Sequence, residues 1–215
     1  MIKHHPTQQL LILHSEGHLP FSLAVAVSAH IEMCEHCQKK SQQLTQSLAS
    51  QTWQENSPTV DFSDMLQNIL QSELPEVPVA AQVKNVTTYV SNKTFNLPRA
   101  FRSFKDIKWS GLGPVSRARI VKDEDNIRSN LLHIDKNGVI PSHSHKGYEV
   151  TLLLDGSFAD EHGSYHKGDF IWLEGGQQHS PFSESGCLCY AVQNAPLHFT
   201  SGISKVLNPL GKLIY

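Results

Sequence analysis

The sequence lacks what would commit a chain to a membrane or to nucleic acid. No run approaches the roughly 18 consecutive apolar residues that a membrane-spanning helix requires. Lys and Arg number 18 against 20 Asp and Glu, a net charge of −2, so there is no basic excess of the kind that binds nucleic acid directly. The apolar stretch 19–31 begins too late for a secretory signal and has no basic segment before it. It reads as a helix, and the protein is expected to be cytoplasmic. Cysteine is scarce, with four residues in two close pairs, Cys34/Cys37 and Cys187/Cys189. In a reducing compartment such pairs are metal ligands, redox groups or small buried side chains more often than structural disulfides. Against this background histidine is abundant, with 13 copies in 215 residues.

The texture of the chain changes once. Residues 1–73 read as helical, with apolar runs at 8–15 and 21–31, a polar Gln- and Ser-rich segment at 34–51, and a break at Asn56-Ser57-Pro58. Segment 61–73 carries Phe62, Met65, Leu66, Ile69 and Leu70, an apolar stripe at helical spacing. Residues 74–97, opening with Pro75 and Pro78, are expected to be a linker. From 98 to 215 short β-like runs, at 116–121, 130–134, 149–154, 170–173 and 187–192, alternate with turn residues, the pattern of a sandwich or barrel. The expected fold class is therefore a multi-domain α plus β chain, a helical bundle followed by a β-barrel.

Two histidine clusters carry chemistry. The first is His30-x-x-x-Cys34-x-x-Cys37. On a continuous helix these three residues would share one face. Zinc favours four such ligands, thiolate and imidazole, in a tetrahedron. His5 is the best fourth ligand, since it precedes the first helix and can fold back. His4, His14, His18 and His36 compete for that role. A helical region of about 70 residues has a thin core, and a metal clip would stabilise it.

The second cluster lies in Gly138-Val-Ile-Pro-Ser-His143-Ser-His145-Lys-Gly-Tyr-Glu149 and in Gly168-Asp-Phe-Ile-Trp-Leu-Glu-Gly-Gly-Gln-Gln-His179. Positions 143, 145 and 149 have the same parity and would face one side of a strand. Gly156 would allow a turn into the next strand. Three imidazoles and a carboxylate suit a divalent metal, zinc first, with manganese, iron and nickel as alternatives. Cys187 and Cys189 also share parity. They read either as small buried side chains or as redox-active thiols near the second cluster.

These two strings resemble the two motifs of the cupin fold, with Glu174 where proline is usual, Ser183 where asparagine is usual, and one residue fewer before His143. With the His-x3-Cys-x2-Cys string ahead of them, nearly the whole chain resembles the ChrR-type zinc-binding anti-sigma family, which joins a zinc-binding helical domain to a C-terminal cupin. The resemblance implies zinc at His5, His30, Cys34 and Cys37, and a second metal at His143, His145, Glu149 and His179. It implies a helical domain that inhibits a group IV, extracytoplasmic-function-type sigma factor. It also implies a cupin that responds to singlet oxygen or related oxidative stress, by a small-molecule or oxidant signal. The stripe Phe62, Met65, Leu66, Ile69 and Leu70 would then meet the sigma factor. The competing reading is a metal-dependent, dioxygenase-like cupin enzyme with a helical appendage.

Overall fold

The computed structural model describes residues 1–55, 61–73, 86–122 and 126–200. Among the described residues four α-helices come first: α1 (Gln8–Ser15), α2 (Phe21–Met33), α3 (Glu35–Glu55) and α4 (Ser63–Gln71). Thr7 caps α1 by accepting from the Leu10 N–H, and Pro20 stands at the N-cap of α2 with its own φ fixed near −51°. Among the described residues no helix is long and apolar enough to cross a membrane. The break at 56–58 lies outside the described residues, as do 74–85 and 201–215.

Fourteen strands follow among the described residues: β1 (Val86–Val90), β2 (Lys93–Leu97), β3 (Trp109–Leu112), β4 (Val115–Lys122), β5 (Arg128–Ile134), β6 (Gly138–Val139), β7 (His143–His145), β8 (Glu149–Asp160), β9 (Gly163–His166), β10 (Phe170–Leu173), β11 (Gln178–His179), β12 (Phe182–Ser183), β13 (Cys187–Gln193) and β14 (Leu197–Phe199). Strands β3-β4-β5-β13-β8 form an antiparallel run, extended past β8 by β9, β10, β12 and β6. A smaller sheet, β11-β7-β14, contributes His143, His145 and His179 opposite Glu149 on the large one. The two sheets curl into a cupin-like half-barrel.

The large sheet is covered on both sides. Val150, Leu152, Leu154, Leu131, Leu188, Tyr190 and Val192 join one core with the helical residues Leu11, Leu23, Val27 and Ala29. The opposite parity, with Leu153, Ile134, Cys187 and Cys189, forms a second core inside the half-barrel. Strand β13 is accordingly buried at every position, which explains its unbroken apolar run. Polar contacts stitch the same interface. Ser22 Oγ donates to Ser129 Oγ at 3.2 Å, and the fully buried Tyr190 donates its hydroxyl to the Ser22 carbonyl at 3.3 Å.

Two expectations need correction. Residues 86–97, expected within a linker, form the β1–β2 hairpin, whose Val90, Phe95 and Leu97 enter the helix-side core; alternation of Thr, Tyr, Val and Phe was the signal. Gly156 does not end a strand. It lies inside β8 with φ +77°, packed so closely on the Gly186 carbonyl that a Cβ would sit 2.1 Å away. Helix α4, whose apolar stripe was expected to meet a partner, buries none of its residues.

Candidate metal centres

The first centre sits where α2 meets α3. Helix α2 stops at Met33, and Cys34 is extended (φ −124°, ψ 104°) before α3 begins. The three ligands therefore do not line one continuous helix face, as expected from the spacing; a break at Cys34 turns its thiol back toward His30. His5 arrives from the N-terminal segment. Its Nδ1 lies 3.3 Å from His30 Nε2 and 3.5 Å from each of the Cys34 and Cys37 sulfurs. A zinc tetrahedron with Zn–N near 2.0–2.1 Å and Zn–S near 2.3 Å has edges of about 3.4 Å between nitrogens and about 3.6 Å between nitrogen and sulfur. The observed separations match those edges, so these residues fit zinc.

His30 is held by a hydrogen bond from Nδ1 to the Gly168 carbonyl at 2.8 Å, which leaves Nε2 free for a metal. Burial, with His5 beside it, lowers its pKa to about 4, so the ring is neutral as a ligand must be. Burial and the neighbouring Cys34 push the Cys37 thiol up to about 11, so metal binding here must displace protons. The competing histidines are engaged elsewhere: His4 packs edge-on against Tyr165, His14 hydrogen-bonds Ser28, and His18 pairs with Glu16. His36 stands near His5, with ring centroids 5.4 Å apart, outside the four-atom group.

The second centre brings together His143, His145, Glu149 and His179, all buried. Glu149 does not share a strand with the two histidines, as its parity had suggested. Residues 146–148 turn, and Glu149 opens β8 on the other sheet. His145 Nε2 lies 2.7 Å and His179 Nε2 3.4 Å from Glu149 Oε2. None of these three atoms has a partner in hydrogen-bond geometry. Three buried ligand atoms that converge without meeting hydrogen-bond geometry are the arrangement a divalent cation completes, and the set fits one.

Outer groups hold three of the four ligand residues. His143 Nδ1 donates to the Pro141 carbonyl at 2.8 Å, and burial takes the ring to about 4. His179 Nδ1 lies 3.1 Å from Asp160 Oδ2. Burial opposes a charge on His179, but Asp160 and Glu149 outweigh it and lift the ring to about 9. Burial likewise opposes the Glu149 carboxylate, yet His145 and His179 hold it well below its ordinary range. Thr151 and Gln193 reach its other oxygen, Oε1, at 3.4 and 3.2 Å.

Asp160, Asp169 and Gln193 have structural roles that sequence reading missed. Parity from Glu149 puts Asp160 outside the barrel. A bulge between Leu188 and Cys189 adds a residue to β8 and reverses the parity beyond it, so Phe158 and Asp160 turn inward. Gly156 was the one sequence signal of that irregularity. Cys187 and Cys189 stand 3.9 Å apart, both buried in the inner core, and Cys189 lines the small cavity that holds His143, Glu149 and His179.

Comparison with known proteins bears on this arrangement. The model of the ChrR cupin-like domain matches residues 98–197. The resemblance extends beyond them. The chain is 25% identical to the anti-sigma-E factor ChrR of Cereibacter sphaeroides over 214 residues, 99% of either chain. The structure of Rhodobacter sphaeroides SigE in complex with the anti-sigma ChrR aligns at a TM-score of 0.65 and 24% identity, covering 90% of this chain and 99% of that one. An RmlC-like cupin of Ralstonia eutropha aligns over 47% of this chain and 76% of its own, at 18% identity and a TM-score of 0.41. The ChrR-like fold thus spans both halves.

Proposed function

We propose that this chain is a cytoplasmic, zinc-dependent anti-sigma factor of the ChrR type. Residues 1–73 bind and inhibit a group IV sigma factor, and the cupin, residues 98–215, releases it in response to singlet oxygen or related oxidative stress. Zinc held by His5, His30, Cys34 and Cys37 shapes the helical part. A divalent metal at His143, His145, Glu149 and His179, zinc first among the candidates, shapes the sensing part. Cys187 and Cys189 are the candidate redox pair.

The observation that carries this reading is α4. Phe62, Met65, Leu66, Ile69 and Leu70 are 49–75% exposed, along one stripe of a helix that buries no residue of its own. An isolated nine-residue helix is marginal in water, so such a stripe needs a partner to pack on. End-to-end similarity to an anti-sigma factor supports a sigma factor as that partner.

The test is co-expression with the group IV sigma factor encoded nearest the gene, with metal analysis of the purified material. A zinc-bearing complex that Cys34→Ala/Cys37→Ala abolishes is the expected result. Elution of the chain alone with its metals in place would overturn the reading. A cupin enzyme is the second reading, favoured by the cavity beside Glu149. It requires turnover that Glu149→Gln removes.

A further inference from the structure

Next to the second metal centre lies a larger cavity of about 470 Å3. It shares Leu132, Ile140, Gln193 and Leu197 with the small cavity that holds the ligands, so the two are contiguous. Its size is that of sites that enclose a whole small organic molecule. Most of its wall is aliphatic or aromatic, including Val115, Leu132, Val139, Ile140 and Phe199. Four polar side chains, Ser110, Arg117, Asn130 and Gln193, interrupt that wall, and two of them point to a ligand.

The first is Arg117. Its strand pairs Arg117 with Leu132, and Ala118 beside it enters the opposite core, so Arg117 faces the half-barrel interior. It is half-buried. Burial, then repulsion from Arg119 and Arg128, lowers its pKa, and among the described residues these are the charges that bear on it. A guanidinium remains charged at any physiological pH, so a cation stands in an apolar wall with like charges for neighbours. The second is Asn130, only 4% exposed, whose Oδ1 has no hydrogen-bond partner among the described residues. Buried amide oxygens are rarely left so, and one facing a cavity calls for a ligand donor.

We propose that this cavity binds a small amphipathic carboxylate, its apolar body among Val115, Leu132, Ile140 and Phe199 and its head group at Arg117 and Asn130. Charge complementarity selects the anion, because an arginine fork pairs with a carboxylate through two parallel hydrogen bonds. A water carried with the anion supplies the donor that Asn130 Oδ1 lacks. The wall excludes a highly polar anion such as phosphate or a sugar acid, which would leave its other oxygens unpaired. Gln193 lines the same cavity and donates from Nε2 to Glu149 Oε1 at 3.2 Å. Occupancy is thus one hydrogen bond from a metal-centre carboxylate.

The test is calorimetric titration of the full-length, metal-loaded chain with decanoate, with decanol and decyltrimethylammonium as controls of equal chain length. Decanoate is expected to bind, and both controls to bind about tenfold more weakly or not at all. Arg117→Gln should weaken decanoate about tenfold or more, while Arg117→Lys retains part of the affinity. Val139→Trp, at an exposed rim position, should block entry. Thermal melts of each variant separate loss of binding from loss of fold. No binding of decanoate, equal binding of decanol, or decanoate binding unchanged in both Arg117→Gln and Val139→Trp would overturn the assignment. So would binding that chelation abolishes while Arg117→Gln leaves it intact, since the head group would then sit on the metal. The titration needs no partner protein, so its failure leaves the sigma-binding reading untouched, and failure of that reading leaves the cavity in place.

Discussion

Two aspartates outside both ligand sets decide how firmly those sets are held. Asp160 fixes the His179 ring through Nδ1. Loss of such an outer partner typically costs about 10–100-fold in metal affinity. Asp160→Asn should show that loss in a competitive metal titration of the second centre, with the first centre unchanged; equal affinity would mean that Asp160 plays no orienting part. Asp169 acts at the other centre. It accepts from the backbone N–H groups of Lys3 and His4 at 2.8 and 3.1 Å, pinning the segment that delivers His5. Burial opposes its charge, but the N–H groups of His166, Lys3 and His4 hold its pKa below the ordinary value. A depressed folded-state pKa contributes stability above the unfolded value, about 3.9 for Asp, and that contribution is lost as pH falls through the folded value. Asp169→Ala should therefore be about 1–3 kcal/mol less stable at neutral pH, where it leaves the N–H groups of Lys3, His4 and His166 without their acceptor. The deficit should shrink as pH drops below about 4. Urea unfolding from pH 3 to pH 7 reads both effects, and a deficit constant across that range would refute the anchoring role.

Helix α4 is the element whose pattern and packing disagree most. Its stripe is as regular as that of a core helix, yet Leu70 is 75% exposed. Replacing Ile69 with Glu removes no contact of the folded chain and should change stability by less than about 0.5 kcal/mol, while abolishing capture of the sigma factor. A drop in melting temperature of several degrees would show instead that the stripe packs on the chain itself. Periodicity could find this helix because it is a local property, and for the same reason it could not say what the helix faces. The strands repeat the lesson. Residues 170–173 and 187–192 were legible as strands because β-branched and apolar residues crowd there, and β10 and β13 begin where expected. The two clusters of candidate ligands were legible because metal chemistry restricts such residues to few types at short spacings, and the structure brings each cluster together. What no spacing reveals is an irregularity that resets the count. The break at Cys34 and the bulge opposite Cys187–Cys189 each displaced a geometric argument while leaving its ligands together. The linker expectation at 86–97 failed differently: prolines at 75 and 78 governed the reading of a hairpin that starts well after them.

The two halves of the chain share strand β8, and this ties their stability together. Its odd positions 149, 151 and 153 face the half-barrel, where Glu149 meets the histidines; its even positions 150, 152 and 154 pack under the helices. On the helix side, His30 hydrogen-bonds Gly168, and the Phe170 N–H donates to the His4 carbonyl at 3.0 Å. A shift of β8 or of the turn before β10 on one face must therefore move groups on the other, because close-packed cores transmit strain rather than absorb it. Such coupling is what a sensing half needs if it is to bias the affinity of a binding half, since a signal acts only through its differential interaction with two states. The consequence for unfolding is direct. With one core spanning helices and sheet, described residues 1–55 and 86–200 should melt as one cooperative unit, and scanning calorimetry of the metal-loaded chain should show one main transition. Leu152→Ala, at a position with no exposure beneath the helices, should lower that whole transition, at a cost of about 2–5 kcal/mol. It should also weaken zinc retention at His5, His30, Cys34 and Cys37, though it touches none of them. Two separated transitions, with zinc loss confined to the first and Leu152→Ala affecting only the second, would mean that the helices rest on the cupin without sharing its stability.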